Sequence, residues 1–498
     1  MSAAPRLDHR TVTSFIDGAF VPPRGEALDV VNPADESLAG TLHEADADEV
    51  AVAVAAADRA FREGPWPRMT PAERRQVFGR IVAAVRDNLD ELAALETAAT
   101  GQPIRYSRFI QLPRIIANFE FYAEWPDYAL ETAASEPGRA LRYVLREPLG
   151  PVALISPSNA PTALASTKVA AALAFGNTCV VKTSENTPLA LARFVELLHE
   201  AGVPPGTVNL VNGRGQVTGD ALVRQPAIKA VSFTGGTATA RHIAAAAGGG
   251  LKRIDLELGG KSANIVMPSA DLDKALDAAL LAVFTNSGQQ CFAGSRLVLH
   301  RDIAGPFLER FAARAEAIRV GHPYDEASEN GPLAHVNSRA RVERMVAEAL
   351  ADGCELLAGG RRADGFDRGY YYRPTVLRAP SNDARICQEE VFGPVVAAIV
   401  VDSMEEAVAV ANRSRYGLVS YVWTNDLAEA MAATAAIQAG WIHVNTPMLA
   451  LDPRFPFGGY KDSGVGRDGA PAARSFFTEE KTVNFALALP PMPRLGAE

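Results

Sequence analysis

The feature that most limits what this chain can become is an alternation that begins at Pro151, where short β-rich runs are separated by helix-like stretches. The runs at 152–156, 178–182, 208–211, 228–234 and 253–258 read as strands. Between two of them, 187–201 reads as a helix with Thr187 as cap, Pro188 at the first position and Gly202 as terminator. Apolar strands separated by helices indicate a parallel sheet covered on both faces. A nucleotide is a natural ligand at the carboxyl ends of such strands. The rhythm resumes from Ser262 to Val444, with strands at 296–300, 395–401, 420–424 and 441–444, and predicts a second α/β domain. At 498 residues the chain is too long for one core, which agrees with that division.

Before the alternation the sequence is helical. Thr70-Pro71-Ala72-Glu73 supplies a cap, a first-turn proline and a capping-box glutamate. Val77, Ile81 and Val85 then repeat every four residues on one face. A second helix from Asn88 is expected to stop at Gly101. Two strand-like pieces, 141–146 and 482–487, lie outside both alternations and are expected to pair into a small sheet suited to subunit contact.

Net charge is −9 and no Lys/Arg run offers a phosphate-binding stripe, so nucleic acid is not an expected partner. No stretch of about 18 uninterrupted apolar residues occurs, so no membrane partner is expected. Residues 1–10 are short and polar without a leader-like apolar core. The four cysteines are scattered, which gives no disulfide framework and no metal site. A cytoplasmic protein is the expectation.

Several residues carry candidate chemistry. Cys291 follows Asn286-Ser287-Gly288-Gln289-Gln290, after a helix expected at 272–285; small and amide neighbours leave a thiol reachable. Cys179, inside an apolar run, reads as a buried thiol instead. Glu257 ends a strand before Gly259-Gly260, and glycines beside a carboxylate admit a close backbone or ligand. It reads as a general base or as a solvated strand-end charge. Phe233-Thr234-Gly235-Gly236-Thr237 passes from strand to helix, where backbone N–H groups can meet a pyrophosphate. Gly213 to Gly219 misses the dinucleotide fingerprint by one residue and reads as a loop. Lys182 and Glu185 follow a strand and suit ribose hydroxyls, or form a polar loop.

In combination and order these segments resemble the aldehyde dehydrogenase superfamily, of the NAD(P)-dependent, hydrolytic type. The match runs from Phe15-Ile16-Asp17-Gly18 to Glu480-Lys481-Thr482-Val483. Its strongest parts are Glu257-Leu258-Gly259-Gly260-Lys261, Gly288-Gln289-Gln290-Cys291, Glu389-Glu390-Val391-Phe392-Gly393-Pro394 and Pro456-Phe457-Gly458-Gly459-Tyr460-Lys461. The resemblance implies an α/β fold in three parts. These are a Rossmann-type NAD-binding domain (8–133 and 149–258), an α/β catalytic domain (259–452) and an oligomerisation sheet (134–148 and 475–492). A homodimer or homotetramer is implied.

It also implies roles. Cys291 is then the nucleophile that forms a thiohemiacetal and then a thioester, and Glu257 the base that activates water to hydrolyse it. Asn159 supplies the side-chain amide of the oxyanion hole, beside the Cys291 N–H. Lys168 and Asp468 occupy proton-relay positions, with aspartate where glutamate is more usual. Lys182 and Glu185 would hold the adenosine ribose, and Glu390 and Phe392 the nicotinamide ribose and ring. Ile155, Ser156, Pro157, Phe233, Gly235, Gly236 and Leu258 line the same site. A carboxylate at Glu185 would repel a 2′-phosphate, so NAD is expected over NADP. Gly236, where serine is frequent, and Ala240, where glycine is frequent, depart from the pattern.

On the substrate side the resemblance places Arg114, Ala160, Thr167, Gln290, Phe292, Arg454 and Phe457. Ser158, Ala160 and Thr167 stand where aromatic rings are usual, which implies a roomier, more polar pocket. Arg114 and Arg454 suit an aldehyde that bears a carboxylate, such as a semialdehyde. Two other readings are an acyl transfer to coenzyme A and a non-catalytic NAD-binding scaffold. Enzymes of the first kind tend to lack the base at the Glu257 position, and a scaffold has no physical reason to keep Cys291, Glu257 and Asn159 together.

Overall fold

A computed structural model describes residues 9–448, 452–489 and 491–496. The reading of residues 1–10 as lacking a leader falls mostly outside them, as do a few residues of each expected domain.

Helices in the N-terminal third form as local rules require. In α1 (Pro71–Asp87) the Thr70 hydroxyl accepts from the Glu73 N–H at 3.3 Å, and the Glu73 carboxylate accepts from the Thr70 N–H at 2.7 Å. Val77, Ile81 and Val85 are buried on its inner face. α2 (Leu89–Thr100) ends at Gly101, whose φ of 74° suits a residue without Cβ. α3 (Pro113–Tyr128) carries Arg114, Asn118 and Tyr122 towards the site.

The first sheet is built on β1 (Pro151–Ile155), β2 (Thr178–Lys182), β3 (Val208–Val211), β4 (Ala230–Thr234) and β5 (Arg253–Glu257). All five run parallel in the order β5-β4-β1-β2-β3. Gly464–Val465 pairs antiparallel with β5 on one side, and Phe15–Ile16 with β3 on the other. The chain winds one way from β1 to β3 and then returns to the far side of β1 for β4 and β5. A crevice therefore opens at the carboxyl ends of β1 and β4, the usual ligand position in an open α/β sheet.

α4 (Pro161–Ala174), α5 (Leu189–Glu200) and α6 (Thr237–Gly248) cover this sheet. α5 differs from the sequence expectation, because Thr187 does not cap it. Its N–H closes a turn on the Ser184 carbonyl (3.1 Å), its buried hydroxyl has no partner, and Pro188 takes the cap position. Gly215–Gly219 forms a helical turn, with the Thr218 hydroxyl on the Ala45 carbonyl at 2.7 Å.

After α7 (Leu272–Phe284), the second sheet takes β6 (Ala263–Val266), β7 (Arg296–His300), β8 (Thr375–Arg378), β9 (Val395–Val401), β10 (Val419–Trp423) and β11 (Trp441–Val444). They run parallel in the order β8-β9-β7-β6-β10-β11, with Glu355–Ala358 antiparallel at the edge. Sequence reading found four of these strands and passed over β6 and β8. Both have four residues, as do β3 and β11, so length alone did not hide them.

The two outlying pieces do pair. Ala140–Pro148 and Thr478–Ala486 form a continuous antiparallel ladder with Thr482 opposite Val144, and Ala133–Glu136 extends it.

Candidate active site

The cysteine loop begins where α7 stops. Asn286 (φ 54°), Ser287 (φ 51°) and Gly288 (φ 71°) are three consecutive left-handed residues. Each non-glycine residue there costs about 1–2 kcal/mol, so the turn needs outside support. The Ser287 hydroxyl donates to the Gly331 carbonyl (2.8 Å), and the Gln289 side-chain oxygen accepts from the Ala334 N–H (2.9 Å). A Cβ on Gly288 would overlap the Gly393 carbonyl, so the glutamine-cysteine motif and the Phe392-Gly393-Pro394 motif are packed backbone to backbone.

This turn presents Cys291 partly exposed, whereas Cys179, Cys354 and Cys387 are buried. The Asn159 amide donates to the Gln289 carbonyl at 2.8 Å, two residues before the thiol, while the Asn286 amide donates to the Asn159 carbonyl at 3.2 Å. One N–H of the Asn159 amide remains for a ligand. The Cys291 N–H meets no carbonyl among the described residues.

Glu257 is brought to this loop by its two glycines. A Cβ on Gly260 would overlap the Cys291 carbonyl, and one on Gly259 would overlap the Glu390 carboxylate. The Gly260 N–H donates to Glu390 at 3.0 Å. On the other side a Cβ on Gly458 would overlap Glu257 itself, so the Pro456-to-Lys461 motif closes over the carboxylate. Glu257 is buried and neither of its oxygens has a partner.

Burial raises Glu257 well above the ordinary carboxylate range, helped by the Asp468 and Asp255 carboxyls. Burial, then Glu390 and Glu257, push the Cys291 thiol up to about 12, while Arg114 opposes the rise. The thiol is thus neutral near pH 7 until a positive charge or a base acts on it.

Lys168, on α4, is fully buried. Its ammonium donates to the Ser232 hydroxyl at 2.7 Å and lies 3.5 Å from Asp468 and 3.9 Å from Asp255. Asp468 is held by a reciprocal backbone pair with Phe457, both bonds 2.8 Å. Sequence reasoning named Lys168 and Asp468 and missed Asp255 and Ser232. The available signal was spacing: Asp255 and Glu257 are two apart on one strand and therefore share a face.

At the crevice between β1 and β4, the Ser156, Thr183 and Thr234 hydroxyls follow or end three adjacent strands, and all are buried without a partner. Lys182 is buried with its ammonium 3.8 Å from Glu185. Gly236 caps α6, and a Cβ there would meet nothing, which leaves the first-turn N–H groups open. The Phe233 ring lies against Gly235, where a Cβ would collide with it. Ile155 and Leu258 are buried beside these strands, and Pro157 is half-buried. The Glu390 carboxylate lies against Gly259, and Phe392 has a left-handed backbone (φ 58°). Orphan hydroxyls, a buried lysine and an open helix start make a polar floor that fits a dinucleotide.

The Aldehyde dehydrogenase family model matches residues 20–483. The chain belongs to the aldehyde dehydrogenase family. It is 39% identical to a betaine aldehyde dehydrogenase of Bacillus subtilis (strain 168), over 95% of this chain and 96% of that protein. It is 40% identical to a 5-carboxymethyl-2-hydroxymuconate semialdehyde dehydrogenase of Escherichia coli, over 92% and 98%. Among solved structures, PnpE in complex with nicotinamide adenine dinucleotide superposes with a TM-score of 0.94 at 42% identity, covering 97% of this chain and 99% of that one. The fold is that of an aldehyde dehydrogenase, the cofactor is NAD, and the activity is NAD-dependent oxidation of an aldehyde.

Around the thiol of this aldehyde dehydrogenase, Phe292 and Phe457 pack with Trp441, Tyr421 and Met448. The Tyr421 hydroxyl donates to the Phe292 carbonyl at 2.9 Å. Ala160 and Thr167 line the α4 side, where the Thr167 hydroxyl accepts from Asn118 at 2.9 Å. Gln290 donates to the Thr285 carbonyl at 2.8 Å, and its side-chain oxygen has no partner. Arg114 is half-buried and makes no ion pair or hydrogen bond among the described residues. Arg454, on the exposed loop before Phe457, grips Asp452 through two bonds of 3.0 and 2.6 Å.

Proposed function

We propose that the substrate is an aldehyde bearing a carboxylate, oxidised through a thioester on Cys291. The observation that carries the substrate class is the unpaired, half-buried Arg114, close enough to Cys291 to act on its thiol. A half-buried guanidinium without a partner is free to bind, and a substrate carboxylate would satisfy it with charge-assisted hydrogen bonds. The Escherichia coli and Pseudomonas relatives named for muconic semialdehydes support this reading. Arg454 is exposed and must first release Asp452, so it contributes less. Arg114→Ala is expected to lower kcat/KM for an anionic aldehyde by about 10–100-fold, with little change for a neutral one. Arg454→Ala is expected to do so weakly. Equal losses for both aldehydes in Arg114→Ala would remove the anion assignment.

In the chemical step the Cys291 thiol gives up its proton to solvent, favoured by the positive charges of Arg114 and of the bound cofactor, and its sulfur bonds the aldehyde carbon. The Asn159 amide and Cys291 N–H hold the oxygen, where negative charge develops. Lys182, Glu185, Glu390, Phe392 and the Gly235-Gly236 turn would hold NAD, which would supply the hydride acceptor. Glu257 then takes a proton from water, whose oxygen attacks the thioester carbon, and the sulfur leaves. Asn159→Ala is expected to cut kcat by about 10²–10³-fold, with NAD affinity preserved when titrated directly.

The division into 8–133 with 149–258, 259–452, and 134–148 with 475–492 is proposed as NAD-binding, catalytic and oligomerisation parts. The third sheet leaves Leu141, Leu145, Phe485 and Leu487 exposed, an apolar surface that suits a subunit contact in a homodimer or homotetramer. A cytoplasmic location is part of this reading.

A further inference from the structure

We propose that Asp255, joined to Lys168 through the Ser232 hydroxyl, is a second proton acceptor for the water-splitting step, alongside the more exposed Asp468. The proposal rests on the reading of Glu257 as the base. Its ground is the register of β4 on β5, where Ser232 lies opposite Asp255 and Thr234 opposite Glu257. Residues two apart share a face, so the Ser232–Asp255 pair lies one step below Glu257 on the surface that α4 covers. Lys168 descends onto that pair. Its ammonium is 2.7 Å from the Ser232 oxygen, and the Ser232 hydroxyl donates to Asp255 Oδ2 at 2.9 Å. The chain Lys168–Ser232–Asp255 is therefore an unbroken run of hydrogen bonds that solvent does not enter.

Asp255 is costly where it stands. Its side chain is 3% exposed, against 20% for Asp468, and Oδ1 has no partner. A buried carboxyl set against the Asp468 carboxyl, two residues from a base, is the pattern of a working group rather than of a structural anchor.

The groups that face it come from every neighbouring element. These are Glu257 on its own strand, Ser232 on β4, Lys168 on α4, the buried and unpartnered Tyr122 hydroxyl on α3, and Arg467 and Asp468 on the returning segment. Three carboxyls thus surround one buried ammonium, with Arg467 beside Glu257. Glu257 and Asp255, both buried beside each other, do not ionise freely in so small a volume. Burial and the Asp468 carboxyl push Asp255 up to about 7, while Lys168 and Ser232 oppose the rise. Burial opposes the charge on Lys168, but Asp468, Asp255 and Glu257 together raise its pKa.

The transfer balances. Water gives a proton to Glu257 as its oxygen bonds the acyl carbon, and the carbon–sulfur bond breaks with the pair left on Cys291. Lys168 passes a proton to Ser232 Oγ while the Ser232 proton moves to Asp255 Oδ2. The Lys168 amine then takes the proton from Glu257 through a water molecule. The net change is one proton from Glu257 to Asp255, which later leaves through Lys168 and Asp468 to solvent. Asp255 and Ser232 act through Lys168 and are positioning residues.

The test mixes enzyme with NAD and aldehyde rapidly and separates the first burst of NADH from the steady rate. Wild type, Asp255→Asn, Ser232→Ala and Glu257→Gln are compared from mildly acid to mildly alkaline pH. Both relay variants are expected to keep the burst and to lose about tenfold in the steady plateau, less than the roughly 10²–10⁴-fold of a sole proton-transfer group because Asp468 still accepts. Asp255→Asn is also expected to move the acid limb to lower pH, because a negative neighbour of Glu257 is gone. Ser232→Ala keeps that charge and leaves the limb in place. Wild-type plateaus in both variants would overturn the proposal. So would a loss in Asp255→Asn alone, which would mark a charge effect without transfer through serine, or an equal loss in burst and steady rate. The base reading fails separately, by continued turnover in Glu257→Gln.

Discussion

Replacing Cys291 by alanine is expected to abolish NAD reduction with every aldehyde, a loss of at least about 10⁴-fold, while NAD still binds. That loss corresponds to about 5 kcal/mol of transition-state stabilisation. The size follows from the site's construction. No second thiol can substitute, since Cys179, Cys354 and Cys387 are buried elsewhere. Serine in place of Cys291 is no rescue, because a hydroxyl at that position needs a stronger base than the site provides. The cofactor floor, built on Ser156, Lys182, Thr183 and Thr234, does not depend on the sulfur, so calorimetric titration with NAD should be unchanged. Activity retained in Cys291→Ala would require another nucleophile.

The second large effect is expected from Glu257→Gln, which keeps size and removes the base. Acylation and hydride transfer should still occur once per site, after which turnover stops, with the steady rate down by about 10²–10⁴-fold. The pH dependence follows from the raised pKa of Glu257. A base acts only when deprotonated, so the wild-type steady rate should climb with pH through a range above that of an exposed glutamate. Asp468→Asn removes a negative neighbour and should shift that climb to lower pH. A steady rate already at plateau in the ordinary carboxylate range would contradict the burial argument.

How much of this could be read from the chain depends on how local the information is. The capping box at Thr70 and the stop at Gly101 involve neighbouring residues, and both appear as expected. The parallel strands of the first sheet were legible because being covered on both faces leaves little polar residue in them. Thr187 misled because its N–H closes a turn on Ser184 and Pro188 takes the cap position instead. Cys291 and Glu257 stood out through their glycines, and the structure gives the reason: Gly260 and Gly288 are where backbones from distant motifs touch. Nothing local marks Arg114. Its meaning lies in having no partner, a property of the folded surroundings, and only family resemblance pointed to it. Asp255 and Ser232 were hidden differently. A polar residue alternating with apolar ones in β5 looks like a solvated strand face, and only α4 laid across that face turns it into a buried relay.

The central claim is a covalent acyl group on Cys291, and intact-protein mass spectrometry of Glu257→Gln tests it most directly. After mixing with NAD and aldehyde, a mass gain equal to the acyl group is expected on the peptide that carries Cys291, released by hydroxylamine. NADH formed in stoichiometric amount with Cys291 left unmodified would contradict it.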